Sequence, residues 1–429
     1  CSTGNNFVPD EPRPAMKNTL RVTLFCMLSI LLTGQDQAEA WDGPKQYTVL
    51  STSDVYDGSP RNGKPKPSGY QIVHETYGSF EGKEIAIGVA PMFRVFQRDL
   101  PVFAAQIRNH LKQSEQYEVP IFICLSSFVM NEARPDIWNW WDPDAPGFNP
   151  DNVNNVEWSG WTAGSAVKIG WLNWGSQMRL KPMPNLMSPV FRSELKTAFD
   201  TLGGIVKEWY DELPEDKKWL LIGFRTTDEV AIGINNWYYP NGNGYLDADP
   251  ADDPRTGLDP LDLPSRGVQT IGYNAVQTAG IKNSGTITIE DLNEICRRHC
   301  EYCSRLIHDL GFPREKIYSS SFGKTEGECK TCLTDFSCPS WSFYHATAAN
   351  PDKFEAAFAA LEHSDAPAWA MAEWGIPKNA ETEKYVTGLS KGLSIPRCRF
   401  IRITGEHFDP PRRASSPTLT KALHTLLSQ

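Results

Sequence analysis

The segment from Trp219 to Glu229, WLLIGFRTTDE, decides the fold and carries the first candidate for chemistry. Its apolar half is a short continuous run, which is typical of a strand buried on both faces of a parallel sheet. Its polar half ends in Asp228 and Glu229, so two carboxylates directly follow a buried strand. A second segment has the same order, because the run APAWAMA leads into Glu373. Both segments therefore predict a strand with an acidic residue at its carboxyl end.

Similar strand-like runs alternate with amphipathic stretches along the chain. The predicted strands are residues 84–90, 119–125, 167–171, 219–224, 316–319, 368–372 and 399–403, and the predicted helices are residues 95–112, 193–213, 289–310 and 418–427. This alternation predicts an α/β fold with a parallel sheet, and the strand count favours a (β/α)8 TIM barrel. We expect the eighth strand between residues 267 and 275, where the pattern is poor. An open doubly wound sheet is the alternative, but no glycine-rich phosphate loop follows the first run.

Two predicted connections are too long to be ordinary loops. Residues 126–166 are rich in tryptophan, and residues 241–266 are rich in Asp, Pro and Gly. Both follow strand ends, where a barrel builds its active site, so we expect long functional βα loops. The acidic loop could hold calcium but lacks the fixed ligand spacing of an EF-hand. We therefore predict neither a metal ion nor a cofactor.

Composition places this chain among soluble globular proteins. Its 429 residues are 40% hydrophobic and 22% charged, which permits a sizeable core. The formal net charge is −10 and no Lys/Arg-rich run occurs, which argues against a nucleic-acid partner. Nothing in the pattern indicates an oligomeric state.

The stretch from Met16 to Ala40 has the order of a secretory signal. Basic residues are followed by an apolar run over residues 22–32, too short to span a bilayer, and by a small-residue end. We predict cleavage after Ala40, so that residues 1–40 are an upstream extension plus signal peptide and residues 41–429 are one catalytic domain. The protein is then expected to be secreted or periplasmic, without membrane contact after signal removal. A short membrane anchor is the alternative.

Glu229 and Glu373 form the predicted catalytic pair. Side chains at the carboxyl ends of barrel strands converge on one site. Cleavage of a glycosidic bond needs a carboxylic acid that protonates the leaving oxygen and a carboxylate that attacks the sugar or activates water. Either glutamate alone would be read as a solvated or salt-bridged loop residue. The pair, with aromatic neighbours, favours the catalytic interpretation.

These motifs resemble clan A of the retaining glycoside hydrolases. The resemblance rests on acidic residues after the fourth and seventh strands and on the A-E-W-G run around Glu373. It implies a TIM barrel in which Glu373 is the nucleophile and Glu229 the acid/base. One position departs from the clan, which usually has Asn before the acid/base where this chain has Asp228. A carboxylate there would raise the pKa of Glu229 by like-charge repulsion, or would itself be the acid.

Aromatic residues indicate a sugar ligand. The chain has 14 Trp, and seven of them lie between Trp138 and Trp174. Sugar rings stack on flat aromatics, and their hydroxyls need directional hydrogen bonds. We therefore expect an oligo- or polysaccharide substrate, although some Trp must be core and His407 could be an ordinary loop residue. The predicted substrate-binding residues are Asp228, Trp140, Trp141, Asn236, Trp237, Tyr239, Trp341, Tyr344, Trp374 and His407.

The cysteines form a second constellation. Cys296, Cys300 and Cys303 share one face of a predicted helix, and Cys329, Cys332 and Cys338 follow in a loop. Export favours disulfides that attach this loop to the helix. A zinc site with His299 is the competing interpretation.

Three functions follow from these residues. The first is a secreted glycoside hydrolase that uses two carboxylates and retains configuration. The second is a barrel that binds glycans without cleaving them, and the third is a zinc-dependent hydrolase centred on the cysteines. No G-x-S-x-G motif occurs, so serine-hydrolase chemistry has no support.

Overall fold

Eight parallel strands close into a barrel. The computed structural model describes residues 45–51, 67–127, 133–168, 170–173, 177–232, 234–236, 268–321, 323–377, 380–404 and 417–428, all of which belong to one compact unit, residues 43–429. The strands are β1 Gln46–Ser51, β2 Ile85–Ala90, β3 Ile121–Ser126, β4 Leu221–Arg225, β5 Ile317–Ser320, β6 Cys338–Tyr344, β7 Trp369–Gly375 and β8 Cys398–Ile403. Each pairs in parallel with the next, and β8 pairs with β1, which confirms the predicted (β/α)8 barrel.

Helices follow the strands around the barrel. They are α1 Gly69–Tyr77, α2 Leu100–Tyr117, α3 Pro189–Glu212, α4 Ile289–His308, α5 Glu355–Leu361, α6 Thr382–Ser394 and α7 Pro417–Leu427, with shorter helices at Pro135–Trp138, Tyr273–Thr278, Glu326–Cys329 and Ala346–Ala349. The apolar residues of α3 that share one helical face are buried, as their spacing predicts: Leu195, Phe199, Leu202 and Val206. No helix among the described residues is both long and apolar enough to cross a membrane.

Two predicted barrel strands are wrong. Gly170–Asn173 pairs antiparallel with Gln177–Leu180, outside the barrel. The expected strand at residues 267–275 contains only Val268–Thr270, which pairs antiparallel with Ile234–Asn236. The barrel positions are filled instead by β1 and β6.

An aromatic layer fills the barrel interior. Phe122 of β3 lies 4.4 Å from Phe400 of β8, and Tyr318 of β5 lies 4.8 Å from Phe400, measured between ring centroids. Ser320 and Arg402 stand two residues further along β5 and β8 than these rings. Since residues two apart on a strand share a face, both reach the interior one layer closer to the carboxyl ends of the strands. The aromatic layer is thus the floor beneath the candidate site.

Candidate active site

The two predicted catalytic glutamates both lie at the carboxyl ends of their strands. Glu229 comes four residues after Arg225, which ends β4, and Glu373 lies near the end of β7. They are close enough for the charge of Glu373 to raise the pKa of Glu229. The barrel therefore brings together two carboxylates that are far apart along the chain.

A β-bulge in β7 turns Glu373 into the barrel. Met371 lies opposite Trp341 of β6, but the next pair joins Ser342 to Glu373, so Ala372 is the extra residue. The register against β8 shifts over the same residues. Bulges commonly redirect a side chain beside an active site. Here the extra residue places Glu373 inside and Trp374 outside.

Glu373 is held by two arginines and a tyrosine. Its Oε1 lies 2.8 Å from Nη1 of Arg225 and 3.4 Å from Nη1 of Arg402, and its Oε2 accepts a hydrogen bond from the Tyr344 hydroxyl. Burial by itself would raise the pKa of Glu373, but the charges of Arg225 and Arg402 outweigh burial and lower it below its ordinary value. Its side chain remains 18% exposed. Glu373 is thus a fixed anion that solvent and ligands can reach.

Glu229 has the opposite electrostatic character. Burial, and then the negative charge of Glu373, raise its pKa from 4.5 to about 7. The buried hydroxyl of Ser342 lies near Glu229 and opposes this shift, although it makes no hydrogen bond within 3.5 Å to any described residue. Below about pH 7, Glu229 therefore holds a proton that it can give to a ligand.

Asp228 occupies a deeper position than its neighbour Glu229. It is 4% exposed, and its Oδ1 lies 3.4 Å from the same Arg225 nitrogen that contacts Glu373. Asp228 thus shares the Arg225 guanidinium with Glu373 and is more deeply buried than Glu373. The alternative in which Asp228 is the acid is therefore less well supported than the assignment to Glu229, because Asp228 is buried against Arg225 and less open to a ligand.

The backbone beside Tyr344 is strained. His345 has φ 52° and ψ −108°, a region that residues with side chains rarely adopt. Its N–H donates to the carbonyl of Gly375, at 2.9 Å. The contact joins the ends of β6 and β7, the two strands that carry Tyr344 and Glu373. Strain of this kind is concentrated at functional sites.

Trp341 and Trp374 do not have the substrate-binding role expected of them. They are 1% and 0% exposed. Their indole N–H groups donate to the carbonyls of Cys329 and Ala348, at 3.1 and 3.0 Å. Neither ring face is open to a sugar, because both residues lie on strand positions that face outward, away from Glu373. They belong to the core between barrel and helices.

Tryptophans of the loop after β3 form a separate cluster. Trp141 packs against Trp138 and Trp140, with ring centroids 5.6 and 5.8 Å away. Trp140 and Trp141 are only partly buried. The Nζ atom of Lys181 lies 4.7 Å from the Trp138 centroid, and that of Lys168 lies 5.9 Å from the Trp140 centroid. The predicted sugar-facing role of Trp140 and Trp141 stays a prediction.

Several predicted residues lie outside the described part of the chain. Trp237, Tyr239 and His407 are not described, and neither is the acidic loop at residues 241–266. Asn236 is described only as part of the short strand Ile234–Asn236.

Sequence reasoning missed the arginines that set the charge of the site. Arg225 and Arg402 are 0% and 2% exposed, on β4 and β8. The available signal was a cation within or directly after a predicted strand, because Arg402 lies inside residues 399–403 and Arg225 directly follows residues 219–224. Buried charges are normally paired.

The described cysteines are neither bridged nor arranged for a metal. All eight described cysteines are buried and carry free thiols: Cys124, Cys296, Cys300, Cys303, Cys329, Cys332, Cys338 and Cys398. The disulfides expected between the helix and the following loop are therefore not found. No group of His, Cys, Asp or Glu among the described residues could hold a metal ion. His299, the expected zinc ligand, is fully buried, and its Nε2 lies 3.0 Å from the Ser127 hydroxyl. The described cysteine cluster therefore gives no support to a zinc-dependent hydrolase.

Comparisons with known proteins find similarity only among solved structures. No protein-family model matches the chain, and no curated protein matches it significantly. A glycoside hydrolase family 5 enzyme from Prevotella bryantii B14 superposes with a TM-score of 0.44 and 8% identity, covering 89% of this chain and 96% of that one. A family 5 xyloglucan-specific beta-1,4-glucanase from a ruminal metagenomic library superposes at 0.45 and 7%, covering 90% and 94%. A modular endo-beta-1,4-mannanase of family 26 from Cellulomonas fimi superposes at 0.41 and 11%, covering 90% and 70%.

Proposed function

We propose that this protein hydrolyses glycosidic bonds with retention of configuration, with Glu373 as the nucleophile and Glu229 as the acid/base. One observation carries the proposal: two carboxylates at the mouth of a barrel have pKa values shifted in opposite directions. Such a pair identifies which group is the acid and which is the anion. Glycoside cleavage is a reaction that needs both at once.

In the first step, Glu229 donates its proton to the glycosidic oxygen while Glu373 attacks the anomeric carbon. The bond to the leaving sugar breaks, and a glycosyl ester of Glu373 forms. Arg225, Arg402 and Tyr344 hold the attacking carboxylate in place. They keep it ionised, so no proton has to be removed before attack.

In the second step, Glu229 takes a proton from water, and the resulting hydroxide attacks the anomeric carbon and releases Glu373. Formation of the ester removes the negative charge of Glu373. Since that charge is one cause of the raised pKa of Glu229, the pKa of Glu229 falls in the intermediate. The same residue is therefore an acid in the first step and a base in the second.

We propose an oligo- or polysaccharide as the substrate class. The partly buried Trp140 and Trp141 in the loop after β3 support it, because aromatic faces stack on sugar rings. A loop of this length after a strand end is also where barrels place substrate contacts.

A second candidate is a barrel that binds glycans without cleaving them. The ion pairs of Glu373 with Arg225 and Arg402 favour it, because a carboxylate neutralised in this way could be structural. The raised pKa of Glu229 favours the enzyme, since a buried acid beside an anion has no evident structural role.

The two candidates differ in what Glu373→Gln does. On aryl glycosides and on plant and algal polysaccharides, the enzyme proposal expects turnover by the wild type and nearly none by Glu373→Gln. Glu294→Gln is the control, since Glu294 pairs with Arg297 and Arg298 on α4, outside the site. Retained oligosaccharide binding without turnover by the wild type would support the binding barrel. Equal turnover by Glu373→Gln and the wild type would eliminate the nucleophile assignment.

The stereochemical part has its own test. Retention requires the first-formed sugar to have the anomeric configuration of the substrate, which 1H NMR shows before mutarotation. Azide added to Glu373→Ala should restore cleavage of an activated aryl glycoside by attacking the anomeric carbon, giving a glycosyl azide of inverted configuration. First-formed product of the opposite anomer in the wild type would mean inversion, with a water between the carboxyl groups.

We also propose that the protein is exported. The basic, apolar and small-residue order of residues 16–40 supports this. Expression of the chain with residues 16–40 in a secreting host, followed by N-terminal sequencing, should find a mature protein that begins at Trp41. A product retained in the cells with residues 16–40 attached would contradict it.

A further inference from the structure

Each arginine that contacts Glu373 is attached to a serine on the neighbouring strand. Nε of Arg225 on β4 donates to the Ser320 hydroxyl on β5, at 2.9 Å. Nη2 of Arg402 on β8 donates to the Ser51 hydroxyl on β1, at 2.7 Å. Both arginines thus contact Oε1 of Glu373 at one end and a serine hydroxyl at another.

The serine beside Arg225 is itself held by a second hydroxyl. Its hydroxyl lies 2.6 Å from the Ser340 hydroxyl on β6, and the Ser340 hydroxyl donates to the Ser319 carbonyl, at 2.9 Å. A hydroxyl has one proton to donate. Because Ser340 gives its proton to the Ser319 carbonyl, Ser320 must donate to Ser340 and accept from Arg225. Each hydrogen bond in this series therefore has a fixed donor: Arg225 donates to Ser320, Ser320 to Ser340, and Ser340 to a backbone carbonyl.

We propose that Ser320 is a positioning residue for the reaction: by accepting from Nε of Arg225, it fixes the guanidinium that holds the Glu373 carboxylate. The proposal rests on the proposed function, in which Glu373 is the nucleophile. Ser320 touches no reacting atom. Ser320 acts only through the Arg225 guanidinium. Because this group is planar and rigid, a hydrogen bond that fixes Nε also fixes the orientation of Nη1.

The geometry explains why the orientation of Arg225 matters. Its Nη1 lies 2.8 Å from Glu373 but also 3.4 Å from Asp228. Without the Ser320 acceptor, we expect the guanidinium to turn toward Asp228. This would leave Glu373 with the Tyr344 hydroxyl and with Arg402, 3.4 Å away. The negative charge of Glu373 would then be less stabilised.

Several charged or titratable groups face Glu373 from the surrounding strands. They are Arg225 at the end of β4, Asp228 and Glu229 just after it, Arg402 on β8, Tyr344 on β6 and Cys124 on β3. Only the two arginines in this group are cations, and Arg225 makes the shorter contact. A change in its position should therefore dominate any change in the ionisation of Glu373.

Ser319 provides a matched control on the same strand. It is as fully buried as Ser320, but its hydroxyl donates to the Cys332 carbonyl, at 2.9 Å, and so faces away from Arg225. In Ser320→Ala we expect kcat to fall about tenfold or more with KM within about twofold, because only orientation is lost. We also expect the acidic limb of kcat/KM to move up by about half a pH unit or more. Ser319→Ala should show neither change.

A second measurement does not depend on activity. Carboxyl-13C glutamate labelling, with Glu373→Gln to assign the resonance, gives the pKa of Glu373 by NMR titration. The pKa of Glu373 should rise in Ser320→Ala and stay at the wild-type value in Ser319→Ala. Equal pKa values in all three proteins, or equal kcat and pH limbs in the two alanine variants, would overturn the proposal. If the wild type cleaved no glycoside, the proposed function would fail, and the titration alone would still decide the role of Ser320.

Discussion

Nη1 of Arg225, at the end of β4, lies 2.8 Å from Oε1 of Glu373, near the end of β7. Arg225 is fully buried. A buried charge is tolerated only when it is paired and hydrogen-bonded, so this contact restrains both side chains. The strand that leads to the proposed acid therefore also determines the ionisation of the proposed nucleophile. The contact between Arg225 on β4 and Glu373 on β7 therefore links the two carboxylates into one site, whereas mere proximity would not.

Arg225→Lys should reduce activity while keeping the charge. A lysine ammonium has no rigid fork and cannot hold both Ser320 and Glu373 in one plane. We expect kcat/KM to fall and its acidic limb to move to higher pH, because Glu373 becomes easier to protonate. Arg297→Lys, on the outer face of α4 in ion pairs with Glu294 and Glu301, is the control. An acidic limb identical to that of the wild type would show that Arg225 does not set the ionisation of Glu373.

Activity should have a bell-shaped dependence on pH. Catalysis requires Glu373 to be ionised and Glu229 to be protonated. The alkaline limb should therefore fall as pH rises through about 7, the pKa to which burial and the charge of Glu373 raise Glu229. The acidic limb should lie below the ordinary glutamate value, since the arginines lower the pKa of Glu373.

Glu229→Gln tests the assignment of the alkaline limb. With a dinitrophenyl glycoside, whose leaving group needs no protonation, glycosylation of Glu373 should persist and appear as a burst. The alkaline limb of that first step should vanish in the variant. A limb near pH 7 that remained in Glu229→Gln would belong to another group.

The order of the strands that carry the site could be predicted from the sequence, but only because errors in the strand prediction cancel. The run at residues 84–90 is the first strand that the pattern predicts but the second strand of the barrel, because the polar residues of Gln46–Ser51 hide the true first strand. The false strand at residues 167–171 restored the count before β4. The false strand near residue 270 and the missed β6 offset each other in the same way. Glu229 and Glu373 were therefore assigned to strands four and seven correctly.

β6 was missed because its pattern is reversed. In Cys338–Tyr344 the large residues Trp341 and Phe343 face outward onto helices, and the small polar Ser340 and Ser342 face inward. Polar residues at alternate positions usually indicate a solvent-facing strand or a loop. Here they line a polar barrel interior, because the site above the aromatic layer needs hydroxyls. The same reversal made Trp341 look like a sugar contact.

The bulge at Ala372 was beyond the reach of the sequence pattern. Strict alternation from Trp369 would place Glu373 on the outward face, with Trp369 and Met371. One extra residue reverses this, and no local composition signal marks it. The position of Glu373 thus depends on how β6, β7 and β8 pair in three dimensions.

Tryptophans from core and loop should respond differently to substitution. Trp341→Phe loses the buried hydrogen bond to the Cys329 carbonyl and leaves a small void, so it should lower the free energy of unfolding by about 1–3 kcal/mol with KM unchanged. Trp141→Ala, in the loop after β3, should instead raise KM for oligosaccharides about tenfold. Denaturant unfolding and steady-state kinetics on both variants separate the two roles. An unchanged KM in Trp141→Ala would remove Trp141 from the substrate site.

The buried cysteines should react only after unfolding. All eight described cysteines are free and buried, and burial raises the pKa of each thiol, which keeps it in the unreactive form. A thiol reagent should leave them untouched in the native protein and modify all of them in guanidinium without reductant. Each disulfide would remove two thiols from the denatured count. A deficit of two or more would restore the disulfide interpretation.

The raised pKa of Glu229 should make the free energy of unfolding of the protein depend on pH. Its folded pKa of about 7 lies above the ordinary 4.5, so the folded state holds this proton more tightly than the unfolded chain does. The resulting stability is fully present below about pH 4.5 and is lost as pH rises through about 7. A glutamine side chain resembles the protonated carboxyl group but has no proton to lose as pH rises. Glu229→Gln should therefore match the wild type near pH 4.5 and exceed it at pH 8, by at most about 3 kcal/mol.

Urea unfolding of both proteins at pH 4.5 and pH 8 measures this difference. Glu373 contributes with the opposite sign, since its lowered pKa adds stability that disappears as pH falls, but it does so equally in both proteins. In a Glu373→Gln background the gain from Glu229→Gln should shrink, because one cause of the raised pKa has been removed. The same gain at both pH values, or a gain unaffected by Glu373→Gln, would mean that the two carboxyl groups are not coupled. The acid and the nucleophile of the proposed mechanism would then be independent groups, and the switch of Glu229 from acid to base would lose its physical cause.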